Sequence, residues 1–140
     1  MNSACRSLCR TLFAFGVAMC LQSANAADIS APPPVKHVDA RSAQKLLSHT
    51  NLFILDIRTP EEFKSFHIAG ATNIDFHGSN FEQRVSSLDK SKTYLVHCAA
   101  GVRSAKACGK MSQLHFPNLY NLEGGFRAWE KAGKPVEKEK

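Results

Sequence analysis

Short apolar runs alternate with capped helical segments from His37 to Pro135, and this alternation narrows the possible folds more than any other feature of the chain. The clearest pair begins at residues 52–57 (LFILDI), an apolar run of strand length with no polar face, as expected of a strand covered on both sides. Thr59-Pro60-Glu61-Glu62 follows and predicts a helix start, with Thr59 at N-cap, Pro60 at the first helical position and Glu62 closing a capping box. The pattern recurs on either side. Asp39 is placed to cap a helix reaching about Ser48, with Ala40, Ala43, Leu46 and Leu47 on its apolar face. Residues 71–74, 94–98 (YLVHC) and 118–122 (NLYNL) read as strands, and 81–88, 102–115 and 126–131 as helices. Alternation of this kind implies parallel strands joined by crossover helices, an α/β layered domain.

The ends of the chain read differently. Residues 1–26 have the form of a secretory signal: Arg6 and Arg10 before an apolar run (TLFAFGVAMCL, 11–21), then Ala24-Asn25-Ala26 as a cleavage site. The run is too short for the ~20 residues that span hydrocarbon. A lipid anchor on Cys20 fits poorly, because Met19 sits where a small residue is wanted. The expected mature protein is therefore periplasmic or secreted, with no stable membrane contact. Residues 27–36, with Pro32-Pro33-Pro34, read as a semi-rigid linker, residues 37–135 as the folded domain and 136–140 (VEKEK) as a solvated tail. Without Arg6 and Arg10 the formal charge falls from +6 to +4, and no basic patch interleaved with aromatics suggests nucleic acid. Cys5, Cys9 and Cys20 would leave with the signal, so only Cys98 and Cys108 remain.

The chemistry concentrates at His97-Cys98-Ala99-Ala100-Gly101-Val102-Arg103-Ser104, where a buried strand ends, turns at a glycine and enters a helix. Ligands of open α/β sheets bind beyond the carboxyl ends of strands, where the next helix leaves backbone N–H groups without internal partners. If the turn wraps around Cys98, those donors and the positive end of the helix would bring a thiol pKa of ~8.5 down toward ~7. The alternative is an inert cysteine at a strand end. Arg103 is expected to contact a substrate or the loop's anion, or else to pair with an acid. Cys108 lies five residues beyond Arg103, ~7.5 Å along the helix, and is expected to pack rather than bridge to Cys98.

Other polar residues read as scaffold. Asp56 is expected to satisfy backbone donors at a strand end, Arg58 to form a structural ion pair, with Glu62 as a candidate partner, and His67 to be hydrogen-bonded. His37, His49, His77 and His115 lack the mutual spacing of a metal site, and no metal or cofactor is implied. Phe126 and Trp129 are expected in the core, behind a Gly124-Gly125 turn that permits close approach or positive φ, with a place at the pocket's border as the alternative.

Four stretches then carry a resemblance. Leu55-Asp56-Ile57-Arg58-Thr59-Pro60-Glu61-Glu62-Phe63, running on through His67-Ile68-Ala69-Gly70-Ala71-Thr72-Asn73-Ile74, is similar to the first signature of the rhodanese homology domain. Cys98 to Ser104 resembles its active-site loop, and Leu122-Glu123-Gly124-Gly125-Phe126 with Trp129, Gly133, Pro135 and Val136 resembles its closing signature. Phe66 and Asp75 depart from the usual pattern, and Ala99 and Ala100 stand where members specialised for thiosulfate carry a basic residue. Four residues separate Cys98 from Arg103, one fewer than in related phosphatases and arsenate reductases, and the tighter loop suits a single sulfur atom. The resemblance implies one rhodanese-like domain, with a central parallel sheet of about five strands and helices on both faces. It implies a thiosulfate-type sulfurtransferase: Cys98 is catalytic and holds a persulfide, and Ala99, Ala100, Gly101, Val102, Arg103 and Ser104 form the substrate-binding loop. The partners it implies are a small anionic sulfur donor resembling thiosulfate and a thiol or cyanide acceptor. A sulfur carrier with little turnover of small donors is the alternative within the same resemblance.

Overall fold

In the computed structural model, residues 31–48 and 51–138 are described; the expected signal segment, 1–26, lies outside them. The elements run β1 (Val35–Val38), α1 (Ala40–Leu46), β2 (Leu52–Asp56), α2 (Pro60–Ser65), β3 (His67–Ile68), β4 (Thr72–Asn73), α3 (Phe81–Ser86), β5 (Thr93–His97), α4 (Val102–Gln113), β6 (Leu119–Leu122), α5 (Gly125–Lys131) and β7 (Val136–Glu137). Five strands form one parallel sheet in the order β1-β6-β5-β2-β4, so β5 is its central strand. The helix starts follow the expected chemistry. The Asp39 carboxylate accepts the Ser42 N–H at 2.7 Å, and Thr59 and Glu62 complete the capping box of α2.

Alternation along the central strands sorts side chains onto two cores, one on each face of the sheet. Leu55, Tyr94 and Val96 pack with Phe81 and Val85 of α3 and with Ala107, Cys108 and Met111 of α4. Ile54, Leu95 and Leu122 pack with Ala40 and Ala43 of α1 and with Phe126 and Trp129 of α5. Trp129 is fully buried and donates its indole N–H to the Pro135 carbonyl at 2.9 Å, which ties the last helix to the segment after it.

The structure corrects both boundaries of the expected domain. Val35 and Lys36, read as linker, already belong to β1, which pairs with β6 from Val35–Leu119 onward. Val136 and Glu137, read as solvated tail, form β7, antiparallel to β3. Neither strand carries an apolar run (VKHV and VE), because each sits at an edge with its side chains largely in water. Their strand state comes from long-range pairing, which periodicity does not register.

Candidate active site

Strand β5 delivers Cys98 to the carboxyl end of the sheet, and the chain then turns through Gly101 into α4. Gly101 has φ 91°, and a Cβ there would come within 3.0 Å of the Gly124 nitrogen, so both conformation and space demand glycine. The turn aims its amides inward. The Gly101 N–H donates to the Cys98 Sγ at 3.1 Å, and the Ser104 hydroxyl lies 3.6 Å from the same sulfur. Burial alone would push this thiol up. The Ser104 hydroxyl and the N–H groups of Ser104, Ala100 and Gly101 outweigh it and hold the thiol below its ordinary value.

The loop is held from behind by a second helix. The Phe126 N–H donates to the Cys98 carbonyl at 2.7 Å, and the Arg127 N–H to the Ala99 carbonyl at 3.1 Å. The peptide unit that gives its oxygen to α5 is thus the one whose N–H, on Ala100, serves the sulfur. Gly124 and Gly125 make this approach possible, with φ 70° and 57°; a Cβ on Gly125 would meet the Cys98 carbonyl oxygen at 2.4 Å. Arg103 does not stand free over the loop. Its guanidinium donates to both carboxylate oxygens of Glu62 at 3.2–3.3 Å. Val102 is 65% exposed, and Ala100 lies at the surface. Of the expected loop residues, Ala100, Gly101 and Ser104 therefore serve the sulfur, Ala99 anchors the loop to α5, and Val102 forms its outer rim.

The family profile of the rhodanese-like domain matches residues 35–132. The chain belongs to that family. A rhodanese-related protein of Thermoplasma volcanium superposes with a TM-score of 0.65 at 31% identity, covering 73% of this chain and 97% of that one. A sulfurtransferase of Allochromatium vinosum is 31% identical over 103 residues, 73% of this chain and 94% of its own. The thiosulfate sulfurtransferase GlpE of Vibrio cholerae is 28% identical over 101 residues, 72% of this chain and 93% of its own.

Beneath the loop, this rhodanese-like domain buries a polar network. Arg58 turns inward onto Asp56, with its Nη2 2.6 Å from Oδ2 and its Nε 3.0 Å from both carboxylate oxygens; it also donates to the Phe66 carbonyl at 2.7 Å. The Glu62 partner suggested for Arg58 is therefore not the one it takes. Extended backbone brings residues two apart onto one face, and the plane of Phe126 covers the guanidinium at 4.2 Å, so the pair closes locally. His97 lies beside it, fully buried, with Nδ1 3.4 Å from the Cys98 carbonyl oxygen and Nε2 3.6 Å from Asp56 Oδ2 but without a hydrogen-bond partner at Nε2. Burial pushes the His97 pKa down to about 4, against the attraction of Asp56. His67 is a scaffold residue, stacked on Phe63 and hydrogen-bonded to the Phe63 carbonyl at 2.9 Å. Cys108 packs in the core and its thiol is pushed up to about 12 by burial.

Three contributors were not legible as site residues beforehand. Glu62 was visible only as a helix cap, although its capping bond engages one of its oxygens and leaves the carboxylate able to reach Arg103. Gly125 and the two amides after it were visible as a turn; the pair of adjacent glycines was the available signal. His97 opened the segment singled out for chemistry, but nothing in the sequence tied it to Asp56 and Arg58.

Proposed function

We propose that this protein is a sulfurtransferase in which Cys98 accepts a sulfane sulfur from thiosulfate or a related donor and hands it to a thiol or cyanide. One observation carries the reading: a cysteine at the end of the central strand is wrapped by N–H donors that hold its thiol below the ordinary range despite burial. The Cys98 thiolate attacks the outer sulfur of the donor, a new Sγ–S bond forms, and the donor's S–S bond breaks with its electron pair leaving on sulfite. A second nucleophile, a thiolate or cyanide, attacks the outer sulfur of the Cys98 persulfide and releases the thiolate again. Neither step requires a general base, and the cycle is ping-pong. The loop amides supply preorganised electrostatic stabilisation to both anionic forms. The protein acts outside the cytoplasm in this proposal, after cleavage following Ala26.

The test is the intact mass of protein incubated with thiosulfate, together with thiocyanate formation when cyanide is added. The expected result is the gain of one sulfur atom and turnover, both abolished in Cys98→Ser. Sulfur loading without turnover favours the carrier reading. Absence of loading from every sulfane donor tried, or hydrolysis of an aryl phosphate in its place, overturns the proposal.

A further inference from the structure

The mouth of the Cys98 loop is nearly free of net charge. Among residues 99–104, Ala99, Ala100, Gly101, Val102 and Ser104 carry none, and the one charged residue, Arg103, is bonded through Nη1 and Nη2 to Glu62 while its charge also bears on Cys98. The carboxylate that does this is fixed in place. Glu62 Oε2 also accepts the Thr59 N–H at 3.1 Å, while the Thr59 hydroxyl accepts the Glu62 N–H at 3.3 Å, so the capping box of α2 locks it beside the loop. The shallow groove on the other side of the loop shows the same balance, with Lys106 and Glu123 on one lining. Arg127 gives its backbone N–H to Ala99 and has an exposed side chain, where solvent and salt screen its charge. Further positive potential comes from loop amides, and these are directed at the sulfur itself.

Donors differ in what they present to such a mouth. Thiosulfate brings its outer sulfur to Sγ with a sulfonate behind it, a second negative charge that must face the rim. There it meets a guanidinium already neutralised by a carboxylate. The persulfide of a thiol brings at most a single charge, none when it reacts as R–S–SH, and an organic tail that suits the side chains of Ala99, Ala100 and Val102. We infer that Glu62 is a specificity-determining residue that turns Cys98 away from small dianionic donors and toward persulfides of thiols. The inference rests on the sulfurtransferase reading above. In the favoured step the Cys98 thiolate attacks the terminal sulfur of the protonated persulfide R–S–SH, the Sγ–S bond forms, the donor's S–S bond breaks, and the electron pair leaves on RS⁻. The proton stays with the transferred sulfur until solvent removes it, and no oxidant or reductant is consumed.

The experiment measures the second-order rate at which Cys98 gains one sulfur, by rapid quench and intact mass. The donors are thiosulfate and the persulfide of 2-mercaptoethanol, and the proteins are the wild type, Glu62→Gln and Glu62→Asp. Glutamine keeps an oxygen for the Thr59 N–H and removes the charge. Loading of Glu62→Gln from thiosulfate is expected to rise ~5- to 10-fold, equivalent to ~1 kcal/mol. Loading from the persulfide changes less than loading from thiosulfate, so the donor ratio shifts toward thiosulfate, and this shift shrinks as salt is raised from about 0.05 to 0.5 M. Glu62→Asp keeps the wild-type preference. Wild-type thiosulfate loading, which needs no variant, should be flat or should rise with salt; a steep fall would reveal a free basic mouth and overturn the inference. An unchanged donor ratio in a folded Glu62→Gln protein overturns it as well. No loading of the wild type from either donor defeats the sulfurtransferase reading itself, an outcome distinct from a changed or unchanged ratio.

Discussion

Cys98 and Cys108 flank the first turns of the same helix, and both are sealed from water, at 1% and 0% exposure. Their thiols nevertheless move in opposite directions. Cys108 faces Ala107, Met111 and the rest of one core, its closest polar neighbour is the Tyr120 carbonyl at 3.9 Å, and burial pushes it up to about 12. Cys98 suffers burial too, but amides and a hydroxyl aimed at its sulfur reverse the outcome. Exposure therefore does not distinguish the reactive thiol from the inert one. The distinction lies in whether backbone dipoles are directed at the sulfur, and that is a property of the strand-to-helix turn.

Alkylation tests the contrast most severely. With iodoacetamide at neutral pH, peptide mapping should show Cys98 modified at least ~1000-fold faster than Cys108, which reacts only when the domain opens. The pH midpoint for Cys98 should lie below that of an ordinary thiol. Comparable rates for the two would erase the contrast.

Gly125→Ala attacks the cradle from behind. Its Cβ would fall 2.4 Å from the Cys98 carbonyl oxygen and 2.8 Å from the Ala100 nitrogen, at a φ of 57°. Sulfur loading should fall ~100-fold or more with a loss of several kcal/mol of stability, about 3 or more, read by chemical denaturation. Near-normal loading would show that the orientation of the loop does not depend on α5.

Acid should act on the corner and spare the Cys108 side. His97 titrates near 4 in the fold, where burial keeps it neutral, against an ordinary value of 6.5. Between those two values the unfolded chain binds the extra proton, so stability rises with pH through this window and is lost as pH falls from about 6.5 to about 4. The loss should approach about 3 kcal/mol, and replacing His97 with a neutral residue of similar size should flatten that part of the profile. Smallest of all, Ser104→Ala removes the hydroxyl 3.6 Å from Sγ and should slow alkylation of Cys98 ~2- to 5-fold at neutral pH. A change of that size in Cys108 alkylation instead would mean that the helix, rather than the thiol, had been altered.

Most of the frame was readable from the amino acids because local chemistry and global packing agree there. Residues 52–55 are apolar in succession, and Ile54 and Leu55, on opposite faces, are both buried, while Thr59 to Glu62 starts a helix for reasons internal to four residues. The donor-lined turn at Cys98 was foreseeable on the same grounds, as a strand end followed by glycine and a helix. What escaped depends on partners far away in the chain. Strand β1 exists through β6, and β7 through β3, where Glu137 accepts the Gly70 N–H at 2.8 Å. Arg58 and Arg103 each chose between acids that sequence spacing could not rank. Asp56 took the first across one strand end, and Glu62 reached the second from another helix, 41 residues away.

The backing of the loop by the start of α5 bears on the order in which the molecule is made. A ribosome that has delivered Cys98 and all of α4 has yet to deliver Gly125, Phe126 and Arg127, whose backbones hold the loop peptides in place. Until those residues emerge, the cysteine sits in a turn with no fixed orientation and keeps the reactivity of any free thiol. Its distinctive chemistry is expected to appear only after the start of α5 has been made and has docked behind the loop.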